Sequence, residues 1–175
     1  ILDLFFLYKK LTSIRHKRFV YISSIDVNQK DRTLYSEIKY QIEQDIVGHS
    51  TNFLIIRPAS LIGPGMRQNT ITKIFSTNKP RISLARNSYY YISFYKDILN
   101  LILSNASGIW TVCSHKQISI DSLSQWAGCV PEWGNFSYKP IIIGTESNYC
   151  HLNNFSLLDT RHRIEKFFAN YKKHQ

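Results

Sequence analysis

The sequence Leu34-Tyr-Ser-Glu-Ile-Lys39 lies between two apolar segments, and this arrangement indicates the fold of the chain. Tyr35 and Lys39 stand at positions i and i+4, so on a helix they share one face. An ammonium group beside a phenol lowers the pKa of the phenol because it favours the anion. Such a pair, joined by a serine hydroxyl from a neighbouring strand end, predicts a site that moves a proton to or from a hydroxyl or carbonyl group.

The apolar segments on either side of this helix predict two β-strands. Residues Arg18–Ile22 form the first strand, whose end exposes Ser23 and Ser24, and residues Asn52–Ile56 form a second strand suited to the centre of a parallel sheet. Asp31 or Thr33 is expected to cap the helix between them. The predicted buried stripe of that helix is Leu34, Ile38, Ile42 and Ile46, with Tyr35, Lys39 and Glu43 at its edge facing a cleft. Strand, helix and strand make one right-handed βαβ crossover.

The order of these elements resembles the extended branch of the short-chain dehydrogenase/reductase family, the NAD-dependent nucleotide-sugar epimerases, dehydratases and reductases. Four motifs carry the resemblance: Ser23-Ser24, Tyr35 with Lys39, Arg57-Pro58 and Gly63-Pro64-Gly65. It covers residues 1 to about 130 and is loose after Gly128. The resemblance implies an α/β fold, in which the C-terminal part of a Rossmann-type parallel sheet is followed by a small α+β substrate lobe. The expected domains are residues 1–65, the remnant of the NAD(P)-binding domain, and residues 66–175, the substrate lobe with a C-terminal helix, interleaved in space.

The resemblance also implies the roles of individual residues. The cofactor would be NAD or NADP and the substrate a nucleotide-activated sugar. Tyr35 would be the general acid/base and, with Lys39, would bind the cofactor. Lys39 would lower the pKa of Tyr35 and bind the nicotinamide ribose. The segment Pro58, Ala59 and Ser60 would lie near the nicotinamide carboxamide.

Ser24 is the expected catalytic hydroxyl, because the family places that group three residues before a valine or similar residue, and Val27 fits. Ser24 would orient the reacting oxygen of the substrate, whereas Ser23 is expected to form a hydrogen bond within the strand end. Asp26 is assigned to the substrate site with Ser24, at the position where dehydratases carry a glutamate base. Capping of a turn is an equal alternative for Asp26.

Two departures from the family pattern affect the prediction. The 175 residues contain no glycine-rich turn of the kind that holds a dinucleotide pyrophosphate. The chain is therefore expected to be the C-terminal portion of an enzyme, inactive in isolation, with the strand before Ser23 as an exposed sheet edge. The arginine expected seven residues before Asp97 is Tyr90, which puts a standard phosphate contact in doubt.

A helix is expected at residues 1–14, in the first expected domain. The segments after Gly65 suit a small α+β lobe. Helices are expected there through Ile71, Ile74 and Phe75, from Asp97, at Asp121–Ala127 and at Thr160–Tyr171, and strands at Arg81–Ala85, Tyr90–Tyr95, Ile109–Cys113 and Gln117–Ile120.

Composition argues against several other classes of protein. The net charge of +10 comes from dispersed basic residues with no nucleic-acid-binding motif, which favours a solvated basic surface. Three scattered cysteines predict a reducing, cytoplasmic location. The histidine spacing argues against a metal, and no apolar run approaches the ~18 residues of a membrane span. The family resemblance implies that the complete enzyme would be a homodimer. Two alternatives to the enzyme remain: a non-catalytic remnant or binding protein of the same fold and, less favoured, a basic nucleic-acid-binding module.

Overall fold

A computed structural model of the chain describes residues 17–114, 116–138, 148–150 and 157–171. The helix predicted at residues 1–14 lies outside this part. Two compact units are present, and both are discontinuous along the sequence. The first contains residues 17–59, 97–112 and 148–150, and the second contains residues 60–96, 113–114, 116–138 and 157–171. No helix in the described residues combines the length and the apolar character needed to cross a membrane.

The described elements follow in chain order. The strands are β1 (Phe19–Ile22), β2 (Phe53–Pro58), β3 (Ser60–Ile62), β4 (Arg81–Leu84), β5 (Tyr89–Tyr90), β6 (Ile92–Phe94), β7 (Gly108–Val112), β8 (Ile118–Ser119), β9 (Glu132–Phe136) and β10 (Asn148–Cys150). The helices are α1 (Leu34–His49), α2 (Thr70–Ser76), α3 (Tyr95–Leu103), α4 (Ile120–Ala127) and α5 (Leu157–Tyr171), and a short 3₁₀ turn covers Ile25–Asn28.

The first unit is built on a parallel sheet with the strand order β1-β2-β7-β10. Leu54, Ile55 and Ile56 of β2 are completely buried, as expected for a central strand covered on both faces. β1 and β2 are connected by α1 and pair in parallel, from Phe19 opposite Phe53 to Ile22 opposite Ile56. The predicted βαβ crossover is therefore present, and the α/β fold class is confirmed.

Helix α1 begins after Thr33, whose hydroxyl accepts a hydrogen bond from the backbone N–H of Ser36. Its buried positions are Ser36, Lys39, Ile42, Glu43 and Ile46. The predicted stripe is wrong at its first member, because Leu34 is 69% exposed. A strict i+4 row advances about 40° around the helix at each step, so residues 34 and 46 cannot share one face. The same drift places Lys39 and Glu43 on the buried face instead of at its edge.

The second unit consists of short paired strands around an apolar core. β3 pairs with β6 and β4 with β9 in parallel, while β5 and β8 are antiparallel. The core of this unit includes Ile62, Ile74, Ile120, Leu123 and Ile164. The strand predicted over Tyr90–Tyr95 is split between β5 and β6, because its two parts pair with different partners. Helix α3 consequently begins at Tyr95, two residues before the predicted Asp97.

Candidate active site

The two serines at the end of β1 have different surroundings. The backbone N–H of Ser23 donates to the carbonyl of Ile56 at 2.7 Å and extends the sheet ladder. Its hydroxyl is buried and has no hydrogen-bond partner among the described residues, so the predicted bond is made by the backbone and not by the side chain. Ser24 caps the 3₁₀ turn: its Oγ accepts from the backbone N–H of Asp26 at 3.2 Å and donates to Asp26 Oδ2 at 3.0 Å.

Asp26 is held by contacts within the same turn. One carboxylate oxygen accepts the hydrogen bond from Ser24, and the other accepts from Gln29 Nε2 at 3.1 Å. This geometry corresponds to the turn-stabilising alternative for Asp26. A carboxylate with both oxygens engaged remains an acceptor and carries its negative charge close to Tyr35.

Tyr35 lies in the first turn of α1 with half of its surface, 51%, exposed. Burial of the other part raises the pKa of its phenol, and the negative charge of Asp26 raises that pKa further. The expected lowering of this pKa by Lys39 is not found. Lys39 Nζ lies 5.4 Å from the centroid of the Tyr35 ring and is directed to a backbone carbonyl, so desolvation dominates.

Lys39 is almost completely buried beneath the end of β1, with 9% of its surface exposed. Its Nζ donates a 2.8 Å hydrogen bond to the carbonyl of Ile22 and lies 5.1 Å from the centroid of the Tyr21 ring. Burial lowers the pKa of Lys39, and the nearby Glu43 partly opposes that shift. An ammonium group has three N–H donors. Among the described residues, one donor of Lys39 is used by the carbonyl of Ile22, so two are left for a ligand.

A buried ion pair between α1 and β2 was not predicted from the sequence. Arg57 of β2 donates to both carboxylate oxygens of Glu43, from Nε at 3.0 and 3.1 Å, and its Nη1 donates to Asn28 Oδ1 at 2.9 Å. The bond network ties α1, β2 and the 3₁₀ turn together and thereby positions Tyr35 and Lys39. A signal was available, because an arginine in a buried strand requires a buried partner.

The segment after β2 divides between the two units. Pro58 ends β2 and is buried, and Ala59 follows it in the first unit. Since β1 and β2 are parallel and in register, their C-terminal ends meet at one sheet edge, the edge that carries Ser24. Ser60 begins β3 in the second unit, where its backbone N–H donates to the carbonyl of Tyr91 at 3.1 Å. The structure thus brings Ser24, Asp26, Tyr35, Lys39, Pro58 and Ala59 into one unit.

Comparison with known proteins identifies the fold. No protein-family model and no curated protein matches the sequence. A UDP-N-acetylglucosamine 4-epimerase from Methanobrevibacter ruminantium M1, solved with UDP-N-acetylmuramic acid, matches 99% of this chain and 68% of its own, with 15% identity and a TM-score of 0.66. A UDP-glucuronic acid 4-epimerase from Bacillus cereus, solved with UDP-glucuronic acid and NAD, matches 94% of this chain and 65% of its own, with 13% identity and a TM-score of 0.62.

RMD from Pseudomonas aeruginosa, solved with NADPH, matches 88% of this chain and 67% of its own, with 16% identity and a TM-score of 0.59. This chain therefore spans about two thirds of the length of these three structures. At such low identities the similarity shows the fold. At that level it confirms the predicted likeness of this chain to the nucleotide-sugar epimerases and the partial Rossmann-type sheet predicted for this chain.

Proposed function

We propose that the protein acts, at full length, as an NAD(P)-dependent epimerase, reductase or dehydratase of a nucleotide-activated sugar. The observation that carries the proposal is the placement of Tyr35 and Lys39 on α1 beside Ser24 at the end of β1. This arrangement occurs in a fold shared with structures that were solved with UDP-sugars, NAD or NADPH. The proposal includes a cytoplasmic, metal-free homodimer, which rests on the cysteine pattern, the histidine spacing and the family resemblance.

The residues present fit the nicotinamide ribose part of the cofactor. Lys39 offers two N–H donors from a buried position, which suits the two hydroxyls of a ribose. Pro58, Ala59 and Ser60 are proposed to line the carboxamide. When bound, the nicotinamide would exchange a hydride with a carbon atom of the sugar. The glycine-rich turn that would receive the pyrophosphate is absent from the 175 residues.

In this proposal Tyr35 transfers the proton to or from the sugar oxygen. Because its pKa is raised, the phenol carries its proton near neutral pH and is ready to donate it to a developing oxyanion on the sugar. Removal of a proton from a sugar hydroxyl requires the phenolate, which burial and the charge of Asp26 both disfavour. Ser24 orients the reacting oxygen by exchanging its bond to Asp26 for one to the substrate.

A non-catalytic protein with the same fold is the second candidate. It is favoured by the contacts of the two polar groups beside Tyr35, since Ser24 is bonded to Asp26 and Lys39 to the carbonyl of Ile22. In this alternative both side chains have a structural role: Lys39 caps the end of β1 and Ser24 caps the 3₁₀ turn.

Cofactor titration separates the two candidates. The full-length protein, a Lys39→Met variant and a Lys30→Met control would be titrated calorimetrically with NAD⁺ and NADP⁺, and each would be incubated with UDP-, GDP- and dTDP-sugars for product analysis by mass spectrometry. Lys30 is exposed and outside the site. The enzyme proposal expects dinucleotide binding and sugar conversion, with binding weakened about tenfold or more in Lys39→Met and unchanged in the control. Absence of binding, or equal binding by all three proteins, would favour the non-catalytic alternative.

A further inference from the structure

Tyr21 of β1 lies beneath helix α1. Successive side chains of a strand point to opposite faces of the sheet, and the neighbours of Tyr21 along the strand, Val20 and Ile22, are exposed. Tyr21 faces the other way and packs against the apolar cluster that joins α1 to β2, which consists of Ile42, Ile46 and Ile55. Its ring is therefore held between the sheet and α1.

The ring of Tyr21 forms one wall of the space that holds the Lys39 ammonium. Lys39 Nζ lies 5.1 Å from the centroid of the Tyr21 ring and 5.4 Å from that of the Tyr35 ring. Both distances are below the ~6 Å within which the face of an aromatic ring attracts a cation. The same ammonium donates to the carbonyl of Ile22 at 2.8 Å, so it lies among two rings and one carbonyl oxygen.

Lys39 lacks a direct ion pair within the described ranges, where no carboxylate lies within ion-pair distance of it. The titratable and charged groups around it come from four elements. They are Tyr35 and Glu43 on α1, Tyr21 on β1, Asp26 in the 3₁₀ turn beside Tyr35, and Arg57 on β2, which binds Glu43.

The charge of Lys39 is maintained against the cost of burial. Burial lowers the pKa of Lys39, and Glu43 opposes that shift only in part. The face of an aromatic ring favours the charged form of an amine, most strongly where water is excluded. Tyr35 is 51% exposed, so the more deeply buried ring of Tyr21 is the one that can supply this stabilisation.

We infer that Tyr21 is a positioning residue of the candidate active site, whose ring face keeps the Lys39 ammonium charged and directed to the end of β1. Tyr21 acts through Lys39 and not by contact with a ligand. The inference deepens the proposed function and rests on it, since Lys39 is the residue proposed to bind the nicotinamide ribose.

The test follows the titration of Lys39 by NMR in full-length protein that contains ¹³C-labelled lysine. The Lys39 signal is identified as the one absent from Lys39→Met. Tyr21→Met removes the ring and keeps an apolar side chain that adapts to the space, whereas Tyr21→Phe keeps the ring and removes only the hydroxyl. Tyr40→Met is the matched control, because the ring of Tyr40 packs against Arg32 and not against Lys39.

Loss of the ring face should move the titration midpoint of Lys39 to lower pH in Tyr21→Met and leave it unchanged in Tyr21→Phe and Tyr40→Met. A tyrosine that only fills space would give the opposite sign, because a packing defect lets water reach Lys39 and raises its pKa. A rise or no change in Tyr21→Met, or an equal fall in Tyr21→Phe, would overturn the inference.

A second measurement keeps the test valid if Tyr21→Met fails to fold. In the parent, the ε-protons of Lys39 should be shifted upfield by the ring currents of the two tyrosines. Tyr35→Leu removes the half-exposed ring, and the upfield shift should persist there because the ring of Tyr21 remains. Loss of the whole shift in Tyr35→Leu would overturn the role of Tyr21.

Calorimetric titration with NAD⁺ and NADP⁺ separates this inference from the proposed function. Tyr21→Met should bind the dinucleotide that the parent binds about threefold to tenfold more weakly, and Tyr21→Phe and Tyr40→Met should bind it as the parent does. Equal affinity of Tyr21→Met and the parent would overturn the positioning role. A parent that binds neither dinucleotide would contradict the proposed function, and the NMR titration would then decide by itself whether Tyr21 holds Lys39.

Discussion

Arg57 makes four hydrogen bonds to two side chains, and its replacement by methionine tests how strongly they stabilise the first unit. The side chain of Glu43 is completely buried and that of Arg57 is 12% exposed. Methionine keeps an unbranched apolar stem but leaves the carboxylate of Glu43 without a counter-charge and Asn28 Oδ1 without its donor. Removal of one partner from a buried ion pair typically costs about 3–5 kcal/mol, a large share of the roughly 5–15 kcal/mol that stabilises a whole domain.

Urea unfolding followed by far-UV circular dichroism would measure this loss. The double variant Glu43→Leu/Arg57→Met should recover most of it, because both charges are then absent. The control is Arg81→Met, since the Arg81–Glu132 pair is 88% and 64% exposed and such exposed pairs contribute less than about 1 kcal/mol. If Arg57→Met cost no more than Arg81→Met, or if the double variant were no more stable than the single one, the reasoning would be refuted.

Three further predictions concern other parts of the molecule. Burial raises the pKa of the Cys113 thiol to about 12 and also raises that of the less buried Cys129, so iodoacetamide should label Cys129 faster than Cys113. Faster labelling of Cys113 in peptide mass spectrometry would contradict this. Gly134→Ala should destabilise the protein by about 1–3 kcal/mol, because its Cβ would collide with a backbone carbonyl of β4. At Gly48 in α1 a Cβ has open space, so Gly48→Ala should stabilise the protein by about 0.5–1 kcal/mol. Similar melting temperatures for the two variants would count against this packing. The pKa of Tyr35 is raised above 10.0, so the stability of the parent should fall as the pH rises from 10.0 through that raised value. Tyr35→Phe lacks this contribution and should decline less steeply in urea unfolding across that range, and parallel declines would contradict the shift.

The sequence predicted the elements whose signals are local. The apolar run that became β2 and the Thr33 cap of α1 both follow from rules that act over a few residues. The order strand, helix, strand was also visible, and a turn was one of the two alternatives given for Asp26, although its cap, Ser24, had been predicted only as a catalytic hydroxyl. The fold class followed from this order.

The errors arose where tertiary contacts decide. Leu34 continues an apolar spacing, yet an i+4 spacing rotates around the helix, so Leu34 lies away from the buried face that carries Ile42 and Ile46. Lys39 stands near Tyr35 in the sequence, but its ammonium group binds the carbonyl of Ile22, a partner that spacing alone does not reveal. The bond between Arg57 and Glu43 joins a strand to a helix and required the packed structure.

The measurement that tests the account most directly compares Tyr35→Phe with Tyr40→Phe in the full-length protein. Both changes remove one phenolic hydroxyl from α1. Tyr40, however, packs its ring against the guanidinium of Arg32, at 3.8 Å, and is not one of the proposed site residues. With the nucleotide sugar and dinucleotide that the parent converts, we predict that turnover falls by about 10²–10⁴ in Tyr35→Phe and is unchanged in Tyr40→Phe. Turnover by Tyr35→Phe equal to that of Tyr40→Phe would contradict the assignment of Tyr35 as the acid/base residue.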